Sequence, residues 1–126
     1  MTIGIADTTV IIHLFRKNAA ARAWMEAQAE RLSITPYTWL EIIYGAPGKR
    51  GQAACLAIMK KFDLVFPVRA DIEWAMQAML AYRLSHGVSV VDCLIASVAH
   101  RLQVPLYTDN VKDFPMLAAK LVVKPY

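Results

Sequence analysis

The sequence predicts an α/β fold in which helices pack around a mostly parallel sheet. Short apolar runs alternate along the chain with longer segments of helical periodicity. Parallel strands need crossover connections of about a dozen residues or more, so this alternation favours a parallel sheet covered by helices. No linker-like stretch, low-complexity segment or internal repeat interrupts the 126 residues. We therefore expect a single domain that spans residues 1–126.

The predicted strands are short apolar runs that stop at a charged residue, a proline or a turn. Ile3–Ala6 stops at Asp7, and Leu64–Phe66 stops at Pro67. Runs this short that are apolar throughout are typical of buried strands. The other three predicted strands are Leu32–Thr35, Leu106–Thr108 and, at an edge of the sheet, Leu121–Val123.

The predicted helices show apolar residues three or four positions apart and recognisable end signals. Asp71–Ser85 carries such a stripe and is followed by Gly87, a residue type that commonly ends helices. Val90–Leu102 is apolar on most sides, which predicts a central position. The remaining predicted helices are Val10–Phe15, Ala19–Glu30, the segment from Pro36 to about Gly45, Gln52–Phe62 and Val111–Ala119.

The composition is unusually apolar for a chain of this size. Hydrophobic residues make up 57% of the sequence, so we expect part of the apolar surface to cover an interface rather than a core. No apolar run approaches the roughly 18 residues of a membrane span, and the N-terminus lacks signal-peptide features. Cys55 and Cys93 lack metal-ligand spacing, so we expect reduced core thiols in a cytoplasmic protein.

Four carboxylates stand where apolar runs stop or helices begin: Asp7, Glu41, Asp92 and Asp113. In parallel sheets, functional residues gather beyond the carboxyl ends of the strands. Buried carboxylates are costly without a partner, and two of them about 4 Å apart repel by roughly 4 kcal/mol at an effective dielectric constant of about 20. If the fold brings several together, a divalent cation is the natural counter-charge.

Each of these acids also has a purely structural interpretation. Asp7 suits the N-cap of the helix that follows it, and Asp113 suits a solvated turn. Glu41 and Asp92 each follow a hydroxyl residue at the spacing of a capping box. Pro36 argues against the box at Glu41, because it places the helix start earlier. A non-catalytic binding module whose acids mainly cap helices is therefore the alternative to an enzyme.

Four short motifs, taken in order, resemble those of the PIN domain family. Residues 5–12 (Ile-Ala-Asp-Thr-Thr-Val-Ile-Ile) are similar to its opening strand and helix, and Glu41 stands four residues before Gly45 as in its second motif. Residues 92–96 resemble its third motif, an Asp that opens a Leu-Ile-Ala helix. Residues 108–114 resemble the fourth, Thr-x-Asn-x-x-Asp-Phe. The resemblance covers essentially the whole chain.

The resemblance implies a three-layer α/β/α sandwich with a mostly parallel central sheet and an endoribonuclease that uses Mg²⁺ or Mn²⁺. It implies that Asp7 and Asp92 are the principal metal ligands and that Asp113 is a further ligand, either directly or through water. Glu41 would bind the metal or orient the attacking water. In-line attack by that water would leave a 5′-phosphate and a 3′-hydroxyl.

Within that family, a stand-alone domain of this size is similar to the VapC toxins of type II toxin–antitoxin pairs. This implies a cognate antitoxin, an RNA substrate and a second copy of the chain as partners. Thr9 and Asp109 are accessory candidates beside the acids. The net charge of +4 mildly favours a polyanion, and basic residues near the site are candidates for contacts to RNA phosphates. These candidates are Arg16, Lys17, Lys49, Arg50 and Lys112.

Two other families with acidic sites fit less well. A phosphatase of the haloacid-dehalogenase type needs a second Asp two residues after the first, where Thr9 stands. A receiver-like signalling domain needs an acceptor Asp after a middle strand, whereas Asp63 precedes its predicted strand. Neither pattern is complete in this chain.

Overall fold

Five parallel strands form the central sheet of the computed structural model, which describes residues 1–126. The strands are β1 (Ile5–Ala6), β2 (Ser33–Ile34), β3 (Asp63–Leu64), β4 (Leu106–Tyr107) and β5 (Val122–Val123). Their order across the sheet is β3-β2-β1-β4-β5, and each neighbouring pair is parallel. The predicted parallel sheet is confirmed, and β5 lies at an edge as expected.

Six α-helices and two short 3₁₀ helices connect and follow the strands. The α-helices are α1 (Thr8–Phe15), α2 (Ala19–Glu26), α3 (Pro36–Gly45), α4 (Gly48–Met59), α5 (Arg69–His86) and α6 (Val90–Leu102). The 3₁₀ helices are Val111–Asp113 and Ala119–Leu121. The predicted bounds of α3 and α6 are confirmed. Gly87 ends α5 in the left-handed conformation, with φ of 62°, as its sequence position predicts.

Three helix predictions ran past the observed ends. Helix α4 spans Gly48–Met59 instead of the predicted Gln52–Phe62, so it begins and ends earlier than expected. The helix predicted to reach Glu30 ends at Glu26, because the Gln28 side-chain amide donates to the carbonyl of Trp24 and closes the last turn. The segment predicted as one helix from Val111 to Ala119 is two 3₁₀ turns instead. Pro115 lies between these turns, and proline disfavours helical geometry in the residue before it.

The two faces of the sheet carry separate hydrophobic cores. Ile5 and Leu106 belong to the core that includes α5 and α6, whereas Ala6 belongs to the core that includes α1 and α4. Successive strand residues point to opposite faces, so a strand of two residues serves both cores. Helices therefore cover the sheet on both sides, which confirms the three-layer α/β/α sandwich. Helix α3 contacts α1, α4 and α6 and so touches both helical layers.

The apolar stripe predicted on α5 is only partly buried. Ala75 and Ala78 lie in the core, but Met76, Leu80 and Leu84 are exposed. These exposed residues account for part of the apolar excess in the composition. None of the helices is both long enough and apolar enough to span a lipid bilayer.

Both cysteines lie where the sequence predicts, inside the protein. Cys55 and Cys93 are buried and form no disulfide. Burial raises the pKa of both thiols, so neither is a reactive thiolate.

Candidate active site

The carboxyl ends of β1 and β4 bring Asp7 and Thr108 side by side. Ala6 lies opposite Tyr107 in this parallel pair, so the next residue along each strand is also a neighbour. The Asp7 backbone N–H donates to the Tyr107 carbonyl at 2.9 Å, and Thr108 Oγ1 donates to Asp7 Oδ2 at 2.8 Å. Asp7 is only 3% exposed. The register of two strands thus fixes a buried carboxylate at this edge of the sheet.

Asp7 does not cap α1, although it occupies the N-cap position. Its side chain makes no capping hydrogen bond, and its Oδ2 instead accepts from Thr9 Oγ1 at 3.1 Å. Burial raises the pKa of Asp7, and the negative charge of Glu41 adds to the rise. Hydrogen bonds from Thr108, the Thr8 backbone and Thr9 offset part of the shift. The carboxylate is therefore held by neutral donors and lacks a cation.

Glu41 does not cap a helix either. Helix α3 begins at Pro36, and the N-cap Thr35 accepts from the Thr38 N–H at 3.3 Å. The Glu41 Oε1 accepts a hydrogen bond of 2.6 Å from Thr8 Oγ1, which also lies 3.0 Å from Thr38 Oγ1. Thr8 therefore ties Glu41 of α3 to the first turn of α1, beside Asp7.

Asp92 takes part in only half of the predicted capping box. Ser89 caps α6, since its Oγ accepts from the Asp92 N–H at 3.0 Å, but no bond returns from the Ser89 N–H to the Asp92 carboxylate. Burial and the charge of Asp7 raise the pKa of Asp92 to about 6, and the charges of Asp113 and Glu41 contribute as well. The Ser89 hydroxyl offsets part of this rise. The fold thus brings Asp7, Glu41 and Asp113 within electrostatic reach of Asp92.

Asp113 completes the cluster from the 3₁₀ helix after β4. It is half-buried, and its backbone N–H donates to the Asn110 carbonyl at 3.0 Å. Its side chain forms no hydrogen bond or ion pair. The five ion pairs of the protein all lie elsewhere, so none of the four clustered carboxylates has a cationic partner.

The cluster fits a hydrated ion better than a closed cage of side chains. No three Asp, Glu, His or Cys side chains are arranged to hold one ion directly. Mg²⁺ commonly binds through one or two carboxylates and keeps several waters. An oxygen-only set centred on Asp7 and Asp92 suits that mode of binding.

The two accessory candidates, Thr9 and Asp109, differ in their surroundings. The Thr9 hydroxyl donates to Asp7 and accepts from the Asp109 N–H at 3.2 Å, so it joins the cluster to the loop after β4. The Asp109 carboxylate accepts from Lys124 Nζ at 3.1 Å and lies 3.8 Å from His13 Nε2. Asp109 therefore has its own cationic partner, unlike the four clustered acids.

The five basic candidates lie on exposed positions. Arg16 lines a cavity of about 350 Å³ between α1, α3 and α4, together with Thr8 and Glu41. Lys112 directly precedes Asp113. The other three are exposed residues that follow α1 or begin α4: Lys17, Lys49 and Arg50. None of the five forms an ion pair in the structure, so each is available to an anion.

Comparison with known proteins agrees with this arrangement. The family model described as PIN domain matches residues 5–118. The chain belongs to the PIN domain family. This PIN domain is 29% identical over 120 residues to a protein named Ribonuclease VapC from Rickettsia bellii, and the match covers 87% of each chain.

Solved structures from toxin–antitoxin complexes share the PIN fold of this chain. One is a toxin–antitoxin complex from Klebsiella pneumoniae, with a TM-score of 0.77, 25% identity and 98% of both chains covered. Another is VapBC2 from Rickettsia felis bound to a DNA fragment from their promoter, with a TM-score of 0.80 and 17% identity. That match covers 97% of this chain and 98% of the other. The family and fold predicted from the sequence are confirmed.

Sequence reasoning gave no role to Thr8 or Thr108. Both residues stand inside the motifs of the PIN resemblance, next to Asp7 and Asp109. Their function in the site depends on the pairing of β1 with β4 and on the contact between α1 and α3. Neither the pairing nor the contact can be read from local sequence.

We expect Thr108→Val to weaken binding of Mn²⁺ to the carboxylate cluster by roughly 10- to 100-fold. This is the usual cost of losing a residue that orients a metal ligand. Valine keeps the shape of threonine but cannot donate to Asp7 Oδ2. Calorimetric titration with Mn²⁺ measures the change. Thr108→Ser retains the hydroxyl and serves as the control, and equal affinities in the valine and serine variants would contradict the assignment.

We expect the metal-free protein to gain stability as the pH falls from about 7 to about 5. The pKa of Asp92 is about 6 in the folded protein, against an ordinary value of 3.8. Between these values only the folded state holds the proton, so this stability is fully present below pH 3.8 and is lost as the pH rises through 6. Thermal unfolding in EDTA measures the trend. The Asp92→Asn variant should show a flatter pH profile, and identical profiles would contradict the coupling.

Proposed function

We propose that this PIN domain is a metal-dependent endoribonuclease and the toxin of a toxin–antitoxin pair. The observation that carries the proposal is a cluster of four carboxylates without cationic partners at the carboxyl edge of the sheet. The curated relative is named a ribonuclease, and one similar structure at 25% identity is a toxin–antitoxin complex. These names support RNA as the substrate and an antitoxin as the partner.

Each carboxylate has a proposed part in the cleavage. When bound, Mg²⁺ or Mn²⁺ would lower the pKa of a coordinated water and stabilise negative charge on the phosphate. Asp7 and Asp92 would hold the ion, and Asp113 would assist them directly or through water. Glu41, fixed by Thr8, accepts a proton from the attacking water. The water oxygen bonds to phosphorus, and the bond from phosphorus to O3′ breaks as O3′ takes up a proton from solvent water. The products carry a 5′-phosphate and a 3′-hydroxyl.

The free basic side chains supply affinity for RNA that does not depend on sequence. Without a metal ion, the acidic cluster repels phosphates. Lys112, next to Asp113 in sequence, and Arg16, which lines a cavity with Glu41, are proposed to bind phosphates near the cluster. Such contacts weaken as salt rises, because releasing counterions from the RNA into a more concentrated salt solution gains less free energy.

The antitoxin is proposed to occupy the cavity between α1, α3 and α4. Ile12, Phe15 and Ile42 supply an apolar lining, and Glu41 and Arg16 stand at its polar side. An apolar antitoxin segment in this cavity would place a basic side chain against Glu41 and so block the ion or the RNA. Trp39 of α3 packs on the core, and neither it nor Tyr44 lines this cavity.

A second copy of the chain is proposed to cover the apolar groove formed by α5 and α6. Its lining is entirely hydrophobic and includes Met76, Leu80 and Val90, which are exposed in the single chain. A groove without charged groups suits a permanent contact between identical subunits better than a transient one. This location gives the expected homodimer a definite surface.

The function is tested by incubating the purified protein with transfer RNA, ribosomal RNA and messenger RNA fragments. We expect cleavage with Mg²⁺ or Mn²⁺, no cleavage after EDTA is added, and recovery when Mn²⁺ is restored in excess. Analysis of the product ends should show 5′-phosphates. Cleavage that persists in EDTA would overturn the proposed mechanism. Binding of RNA without any cleavage would favour the alternative of a non-catalytic module.

A further inference from the structure

We propose that a cavity between α3 and α6 binds one unpaired nucleobase of the RNA substrate, next to the phosphate that is cut. The cavity has a volume of about 390 Å³ and is lined by Tyr37, Leu40, Glu41, Tyr44 and Val91. We call it the α3–α6 cavity. The inference rests on the ribonuclease activity proposed above and adds a subsite with a defined ligand.

The helical repeat of α3 builds one wall of the α3–α6 cavity. Tyr37, Glu41 and Tyr44 are four and three residues apart, so their side chains share one face of the helix. Tyr37 is half-buried, packs against the core and is one of the lining residues. Tyr44 is 96% exposed and has no aromatic partner or hydrogen bond, so its ring is free to stack on a ligand.

The position of the cavity connects it to the carboxylate cluster. Glu41 belongs both to the cluster and to the cavity wall, and Val91 on the opposite side directly precedes Asp92. A base held between Tyr44 and Val91 therefore has its own backbone phosphate at the edge of the acidic cluster. Binding of the base would position the adjoining phosphate for cleavage.

The chemistry of the lining selects an uncharged aromatic ligand. No cationic side chain lines the cavity, and its one charged residue is Glu41, which repels phosphates and acidic side chains. Nucleobases present an uncharged π-face, and stacking on aromatic side chains is a common way for proteins to hold single-stranded RNA. A paired base is already stacked inside a helix, so the cavity favours unpaired segments. An apolar protein segment is the competing occupant.

Binding of short RNA tests the subsite separately from cleavage. We use the Asp92→Asn protein with Mg²⁺, so that RNA stays intact, and fluorescein-labelled hexauridylate with a set of versions that each lack one base. Fluorescence anisotropy gives the affinities. We expect one abasic position to weaken binding by about 5- to 150-fold, the effect of losing one stacked base. Adding Tyr44→Leu should weaken binding of the intact RNA by a similar factor and remove the sensitivity to that position.

Two control variants separate stacking from general effects on the surface. Tyr44→Phe keeps the aromatic ring and should bind like the parent protein. Phe66→Leu removes an exposed aromatic ring that follows β3 at the far edge of the sheet, and it should also leave the affinity unchanged.

Three outcomes would overturn the subsite. One is equal affinity with and without Tyr44→Leu. A second is that Tyr44→Leu changes the sedimentation of the protein but not its sensitivity to abasic positions, which would show that protein covers the cavity. The third is that the Asp92→Asn protein does not bind RNA and the protein without substitutions does not cut it. In that case the proposed ribonuclease activity is wrong as well. If the unmodified protein cuts RNA and Tyr44→Leu has no effect, only the subsite is wrong.

Discussion

Replacing Asp7 with asparagine is expected to lower metal-dependent RNA cleavage by more than about 100-fold. Losing a residue that merely orients a metal ligand costs roughly 10- to 100-fold, and Asp7 is proposed to be a ligand itself. Asparagine fits the same space and its oxygen can still accept from Thr108 and Thr9. The loss of activity therefore reports the missing charge rather than a rearranged site.

The same Asp7→Asn variant is expected to be at least as stable as the parent protein when metal is absent. Burial disfavours the charged form of Asp7 and raises its pKa, so a neutral amide removes an unfavourable charge. Activity and stability should then change in opposite directions. Cleavage of a labelled RNA with Mg²⁺ gives the first quantity, and urea unfolding in EDTA gives the second.

Asp63→Asn is the matched control for this experiment. Asp63 is exposed and pairs with Arg31 at the far edge of the sheet, with a distance of 2.8 Å between Arg31 Nε and Asp63 Oδ1. Its replacement should change stability by no more than about 0.5 kcal/mol and leave cleavage intact. If Asp7→Asn and Asp63→Asn cut RNA equally well, the carboxylate cluster is not the catalytic centre.

Arg101→Ala is expected to destabilise the protein by about 3 kcal/mol, at the lower end of the cost of breaking a buried ion pair. Asp71 is 2% exposed, and its Oδ1 accepts from Arg101 Nε at 2.8 Å. Its Oδ2 accepts from the Val68 N–H at 2.9 Å, at the start of α5. Without the guanidinium, a buried carboxylate is left without a cation. Urea unfolding at neutral pH measures the loss, a large part of the roughly 5–15 kcal/mol typical of a domain.

Arg69→Ala is the control for Arg101→Ala, because it breaks an exposed ion pair on α5, the helix that carries Asp71. Arg69 and Glu73 are both largely exposed and form an i, i+4 pair at 2.9 Å. Exposed pairs of this kind contribute about 0.3–0.5 kcal/mol. If the two variants lose similar amounts of stability, the Asp71–Arg101 pair does not stabilise the packing of α5 against α6 more than an exposed pair would.

The helices were the most predictable part of the fold. Pro36 and Gly87 mark helix ends through their own backbone geometry, and Ser89 caps α6 one residue before its predicted start. These signals act within a few residues. The prediction failed at the end of α2 and between Val111 and Ala119, where a side-chain bond and Pro115 stop the helix before the apolar pattern does.

The candidate site was predictable in its acids but not in its supporting hydroxyls. Asp7 and Asp92 are recognisable because each stands at the start of an apolar helix within a family motif. Thr108 becomes a partner of Asp7 only through the register of β1 and β4, across 101 residues of sequence. Thr8 reaches Glu41 only because α1 packs against α3.

The sequence by itself determined the order of strands and helices, the family resemblance and the identity of the four acids, because periodicity, end signals and short motifs are local. Only the tertiary structure decided which acids have a cationic partner. Asp71 has Arg101 and Asp109 has Lys124, whereas the clustered carboxylates have none. The energy of a charge depends on the groups and solvent that surround it, and folding alone sets those surroundings.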